Sequence, residues 1–213
     1  MRPLRTVATT LTHISMAIEK TLVLLKPCTL QRGLAGEIIS IFEKKGLHIC
    51  GMKMMMLTDE LLSEHYAHLS EKPFFQRVKD SMMTAPVVAL CLQGVDAIAA
   101  VRALAGPTNG RNAAPGTIRG SYCMSFQENI VHASDGPETA AVELKRFFRD
   151  EEIIEWKQCT FPYLYANDEY CGFSLCASIY IRTSPTFRYV EVGLVSVCRP
   201  SAACYRFRAR ACN

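Results

Sequence analysis

Between Lys20 and Phe148, short apolar runs alternate with segments of helical periodicity, which restricts the chain to layers of sheet and helix. Thr21–Leu25 is an apolar strand closed by Lys26-Pro27. In Gly36–Lys45, Ile38, Ile39, Ile41 and Phe42 recur at helical spacing, Lys44 and Lys45 fill the last turn, and Gly46 suits the left-handed end. Leu47–Leu57 reads as a strand, and Thr58-Asp59-Glu60 caps a helix reaching Leu69, because a hydroxyl and acids suit a first turn. A short helix over Phe74–Met82, a strand over Pro86–Leu92 and a helix over Asp96–Ala105, ended by Gly106, come next. Gly106–Gly120 is rich in Gly, Pro and Asn and reads as one long functional loop. A strand at 129–132 and a helix from Pro137 to about Phe148 complete the pattern, proline being suited to a first helical position.

The order β-α-β-α-β-α-loop-β-α predicts a mixed α/β (α+β) domain. Its expected form is a ferredoxin-like split βαβ sandwich, with helices covering one face of an antiparallel sheet. The domain is expected over 16–160, between two extensions. Residues 1–15 contain Arg2 and Arg5 and no acid, a weak presequence pattern, but they read better as an upstream extension before Met16 that need not fold. Residues 161–213 contain no lysine, and Cys171, Cys176, Cys198, Cys204 and Cys212 crowd their end at spacings that match no metal or redox motif. They are expected to be poorly ordered, with the reading frame running past the domain's natural end, although Leu175–Ile181 and Tyr189–Val197 pass as strands. No run approaches the ~20 apolar residues of a membrane span, so no membrane partner is expected.

Charge divides along the chain in the same way. Of 24 basic and 20 acidic residues, eight basic and three acidic lie in 1–15 and 161–213, leaving 16 and 17 for the domain. Its core is therefore close to neutral, which argues against a nucleic-acid groove and for no specific nucleic-acid partner. Cys28, Cys50, Cys91 and Cys123 stand singly in apolar stretches, as buried thiols of a reducing, cytoplasmic compartment would.

The chemistry centres on Asn129-Ile130-Val131-His132-Ala133-Ser134-Asp135-Gly136-Pro137, where a strand runs into a histidine and then a helix start. Lys26, Arg102 and Arg119 lie upstream, and one imidazole with three spaced cations suits a nucleophile that receives a phosphoryl group. A neutral imidazole near pH 7 fits that role. Read alone, Glu143 is an exposed helical acid, Ser134 and Asp135 are N-caps, and Phe126 is a core residue on a strand. His48, His65 and His68 have no shared metal spacing; His65 and His68, at i and i+3 without a nearby series of carboxylate ligands, read as surface residues. The Walker pattern GxxxxGK[ST] is absent, which excludes a P-loop kinase.

Residues 19–156 resemble nucleoside diphosphate kinases. Besides the histidine segment, the blocks Lys26-Pro27, Gln31-Arg32-Gly33-Leu34, Glu64-His65-Tyr66, Pro73-Phe74-Phe75, Gly106-Pro107-Thr108-Asn109 and Gly116-Thr117-Ile118-Arg119-Gly120 stand in the family's order. The resemblance implies transfer of the γ-phosphate of ATP to nucleoside or deoxynucleoside diphosphates, ping-pong, through a phosphohistidine at His132. It further implies that Glu143 and Ser134 orient the imidazole, and that Lys26, Tyr66, Arg102, Thr108 and Arg119 contact phosphates. Asn129 and Lys26 would touch the ribose, the base would lie between Phe74 and Phe126, and Asp135 would approach Mg2+ through water. A homo-oligomer, tetramer or hexamer, is implied as well. Cys28, Pro107, Gly110 and Ala133 depart from the family's usual residues without touching the nucleophile or the cations. The alternative reading is a nucleotide-binding module of the same fold without turnover.

Overall fold

Four consecutive residues, Leu22, Val23, Leu24 and Leu25, have no solvent exposure in the computed structural model. Side chains alternate along a strand, so a run buried at every position needs cover on both faces. The structure describes residues 18–156 and 158–166 and the backbone of 177–183 and 190–196, so the expectation for 1–15 and much of that for 161–213 lie outside it.

The strands β1 (Ile18–Leu25), β2 (His48–Met55), β3 (Val87–Val95) and β4 (Val131–Ala133) form one sheet in the order β2-β3-β1-β4. Every neighbouring pair is antiparallel, the ferredoxin-like arrangement. The helices are α1 (Pro27–Gln31), α2 (Ala35–Lys45), α3 (Asp59–His65), α4 (Phe75–Met83), α5 (Ala97–Ala105), α6 (Ile118–Tyr122) and α7 (Pro137–Phe147). Val23, Leu25, Leu90 and Leu92 pack with Ile38 and Phe42 of α2 and Val101 of α5. Leu22, Leu24, Ala89 and Cys91 turn the other way, onto Leu62 of α3, Met82 of α4 and Leu144 and Phe147 of α7. Helices therefore cover both faces of the sheet, not one. The unbroken apolar run in β1 is the reason, since a one-sided sheet would show polar residues at alternate positions.

Several boundary signals act as their chemistry requires. Gly46 ends α2 at φ +98°, and Thr58 accepts a hydrogen bond from the Leu61 amide at the start of α3. Gly106–Gly120, by contrast, is not one open loop. It contains a tight 3-10 turn at Gly110–Asn112 and the start of α6, whose Thr117 caps the Gly120 amide.

Two compact units divide the chain, 1–171 and 172–213. In the second, β5 (Ala177–Thr183) and β6 (Val190–Ser196) pair antiparallel, with Ala177 opposite Ser196. Among the described residues, no helix is long and apolar enough to cross a membrane.

Candidate active site

The site is assembled around one strained turn. Ile130, fully buried, sits at φ +70°, a conformation a β-branched residue rarely adopts. The Val131 amide donates to the Asn129 carbonyl at 2.8 Å, closing a three-residue γ-turn on Ile130. The Ile130 carbonyl in turn accepts from the Lys26 amide and the Thr29 hydroxyl. Such a turn persists only when its surroundings hold it. Here it fastens the end of β1 to the start of β4, bringing Lys26, Asn129 and His132 to one edge.

Arg119 clamps the same turn from below. Its Nε donates to the Asn129 carbonyl at 3.1 Å, and its two terminal nitrogens to those of Gly106 (2.6 Å) and Val131 (2.7 Å). Burial lowers its pKa without removing its charge. The Asn129 amide nitrogen donates to the Thr108 and Phe126 carbonyls, while its Oδ1 is buried without a partner among the described residues. Lys26 reaches the Gln127 carbonyl at 3.3 Å. Burial, and then the nearby Arg119 charge, lower its pKa to about 8.

His132 Nε2 lies 3.0 Å from Glu143 Oε1, and the Ser134 hydroxyl donates to Glu143 Oε2 at 2.5 Å. Glu143 is buried at 5% exposure, not the exposed helical acid that it resembles in isolation. Burial alone would raise its pKa, but the hydrogen bonds from His132 and Ser134 and the imidazole charges outweigh it and hold the carboxyl below its ordinary value. Ser134 and Asp135 do not cap α7. Gly136 is the capping residue and, lacking a side chain, leaves the helix without a side-chain cap, while the Ser134 hydroxyl donates to Glu143.

Lys26, Asn129, His132 and Glu143 line a cleft of about 1230 Å³. Arg102, Tyr66, Thr108 and Asp135 reach it from α5, the end of α3 and the loops, and Phe74 and Phe126 also line it. Phe126 is 59% exposed, so it is no core residue, and Phe74 is 36% exposed. Arg119 and Ser134 stand behind the lining and hold residues that belong to it.

A histidine between cations beside a buried carboxylate is suited to phosphoryl transfer, and comparison with known proteins is decisive. The sequence model of the nucleoside diphosphate kinase family matches residues 19–153. The chain belongs to this family. A nucleoside diphosphate kinase of Parabacteroides distasonis is 69% identical over 153 residues, which cover 72% of this chain and 100% of the relative. Nucleoside diphosphate kinase B of Bos taurus is 41% identical over 147 residues, covering 69% and 97%. Among solved structures, the halophilic nucleoside diphosphate kinase of Halobacterium salinarum in complex with CDP superposes with a TM-score of 0.68 at 39% identity, covering 70% of this chain and 99% of that one. The chain is accordingly a phosphotransferase with the nucleoside diphosphate kinase activity.

One residue of the kinase cleft escaped sequence reasoning. His65 is 5% exposed, not a surface residue, and its ring centroid lies 4.6 Å from that of His132. Glu143 Oε1 is 3.8 Å from its Nδ1. That contact is no ion pair, because burial, and then the His132 charge, lower the His65 pKa to about 3. The signal was present in α3: Leu62, His65 and Tyr66 stand at i, i+3 and i+4, one helical face, and all three are buried. His68, as expected, is exposed, although it lines the cleft.

Proposed function

We propose that His132 is the phosphorylated residue of this kinase and that Nδ1 is its nucleophilic atom. The supporting observation is the 3.0 Å contact of Nε2 with Glu143. A carboxylate only accepts, so Nε2 carries the proton and the Nδ1 lone pair is left free. In the first half-reaction, that lone pair attacks the γ-phosphorus of ATP in line, and the bond to the β,γ-bridging oxygen breaks to release the diphosphate. Glu143 balances the positive charge developing on the ring, and Ser134 holds Glu143 in place. A terminal oxygen of a second nucleoside or deoxynucleoside diphosphate then takes the phosphoryl group and returns the lone pair to Nδ1. One site serves both halves, hence ping-pong kinetics.

Lys26, Tyr66, Arg102 and Thr108 are assigned to the phosphates. Arg119, with three carbonyl contacts, still has N–H donors for them. Asn129 and Lys26 are assigned to the ribose, and the base to the slot between Phe74 and Phe126. Stacking tolerates any base. Mg2+ fits the donor set: it keeps several waters and needs only one or two carboxylates beside phosphate oxygens, and Asp135 is exposed at the cleft. Bound there through water, it would supply charge neutralisation.

Self-association is supported by β2, an edge strand on which Met52 and Met54, like Met56 just beyond it, are more than half exposed. The four buried unpaired thiols suit a reducing, cytoplasmic setting. Wild-type protein mixed with Mg2+ and γ-labelled ATP should acquire an acid-labile label that chases onto GDP, and His132→Ala should acquire none. Binding of ATP without labelling would leave the non-catalytic reading in its place.

A further inference from the structure

His65 is the buried group that phosphoryl transfer leaves unused. Both of its ring nitrogens lack a hydrogen-bond partner among the described residues, although buried polar atoms nearly always have one. The acid facing it is Glu143, whose Oε2 is taken by Ser134 and whose Oε1 lies 3.0 Å from His132 Nε2 and 3.8 Å from His65 Nδ1. One ligand atom from each of the three residues lies within 4.8 Å of the other two. Around a tetrahedral zinc ion with bonds of about 2.0–2.2 Å, ligand atoms stand roughly 3.4 Å apart. The two shorter separations bracket that spacing, and a turn of the His65 ring, which edge contacts with Tyr66, His132 and Phe147 hold but no hydrogen bond does, would close the third.

We propose that His65, His132 and Glu143 form a site for a zinc-class divalent ion, and that its occupancy switches the kinase off. Two imidazoles and a carboxylate, with a fourth position open to the cleft, are a donor set zinc accepts. Mg2+ prefers oxygen ligands in octahedral geometry, so the ion that accompanies the nucleotide does not compete. The switch lies in the tautomer and rests on Nδ1 being the nucleophile. The phosphoryl acceptor has its proton on Nε2 and a free lone pair on Nδ1. A metal ion takes the Nε2 lone pair, so the proton moves to Nδ1 and the nucleophile is lost. Proton and metal exchange places on one neutral ring, and the site cannot be metal-bound and ready for phosphorylation at once.

Co2+ is the probe, titrated into full-length reduced protein whose accessible thiols have been alkylated. A tetrahedral d–d band without thiolate charge transfer should appear, yield to Zn2+ and resist Mg2+. In His65→Gln, and in His65→Leu, affinity should fall by about 100-fold or more, since even an outer-shell partner typically contributes 10–100-fold. No band in the wild type, or one that survives in both folded variants, overturns the site. If neither variant folds, the wild type still decides: Zn2+ should slow labelling of His132 by γ-labelled ATP at least about tenfold, reversibly with chelator. Labelling at full rate with the metal bound would overturn the switch. A wild type that shows the Co2+ band but never labels, with or without zinc, would sink the phosphohistidine reading and the switch together while leaving the metal site standing.

Discussion

Two basic groups that burial shifts toward neutrality, Lys26 and His65, govern how this kinase responds to pH. Lys26 loses its charge near pH 8 in the free enzyme, so kcat/KM for the nucleotide should fall above that pH. Bound phosphates hold the proton on the amine, so kcat should resist the same change. Lys26→Met should remove the alkaline limb and lower kcat/KM at pH 7 by about 10–100-fold, the worth of one charge-assisted hydrogen bond; steady-state kinetics across pH 6–10 checks this. His65 acts on stability. Its pKa is about 3 when folded and 6.5 when free, so the unfolded chain binds the proton more tightly throughout that window. Its contribution is fully present above about pH 6.5 and is lost as the pH falls, by up to roughly 1.4 kcal/mol per unit. Urea unfolding between pH 5.5 and 6.5, where the carboxyl of Glu143 is almost wholly ionised in either state, should show this slope, and His65→Leu should reduce it, leaving the smaller part that buried His48 contributes. The position of His65 was legible in the spacing of α3, but its proximity to Glu143, 78 positions away, was not.

At the scale of elements, the site depends on how tightly the segment from Gly106 to Asn129 is folded against itself. Its Gly, Pro and Asn content suggests a loop, yet Thr117 caps a helix there and Gly110 packs against Cys123. A Cβ added at Gly110 would stand 2.4 Å from the Cys123 carbonyl oxygen and 2.5 Å from its sulfur. Gly110→Ala should therefore lower stability by about 1–3 kcal/mol in denaturant unfolding. Cys123→Ala should not restore it, because the nearest obstruction is backbone. The start of α3 at Thr58 and the glycine at the end of α2 follow from local chemistry and were readable in the chain, while strand lengths were not, since pairing partners set them. The γ-turn at Ile130 was not, since nothing in Asn-Ile-Val marks a left-handed residue. Contacts from Lys26, Thr29 and Arg119, distant in sequence, hold it there.

At the scale of the whole molecule, the core does not stop where the family match ends at residue 153. The Ile154 amide donates to the Cys50 carbonyl at 2.7 Å, Leu164 lies against Gly46, and the Tyr165 hydroxyl accepts from the Val95 amide at 3.2 Å. A chain ending at residue 166 should keep the kinase turnover of the full chain, because the lining of the cleft runs from Lys26 to Arg146. One ending at residue 156 should be less stable by about 1–3 kcal/mol, which thermal melts of the two would show. By itself the sequence determined the mixed α/β class, the antiparallel sheet and the family, because periodicity, capping and motif spacing are local properties. Only the tertiary structure decided that both faces of the sheet are covered, that Ser134 serves Glu143 and not the helix end, and that Arg119 supports the cleft from behind. It alone placed a second imidazole beside His132. Those facts depend on which distant segments meet, and the solvent excluded where they meet pushes Lys26 and His65 toward their neutral forms.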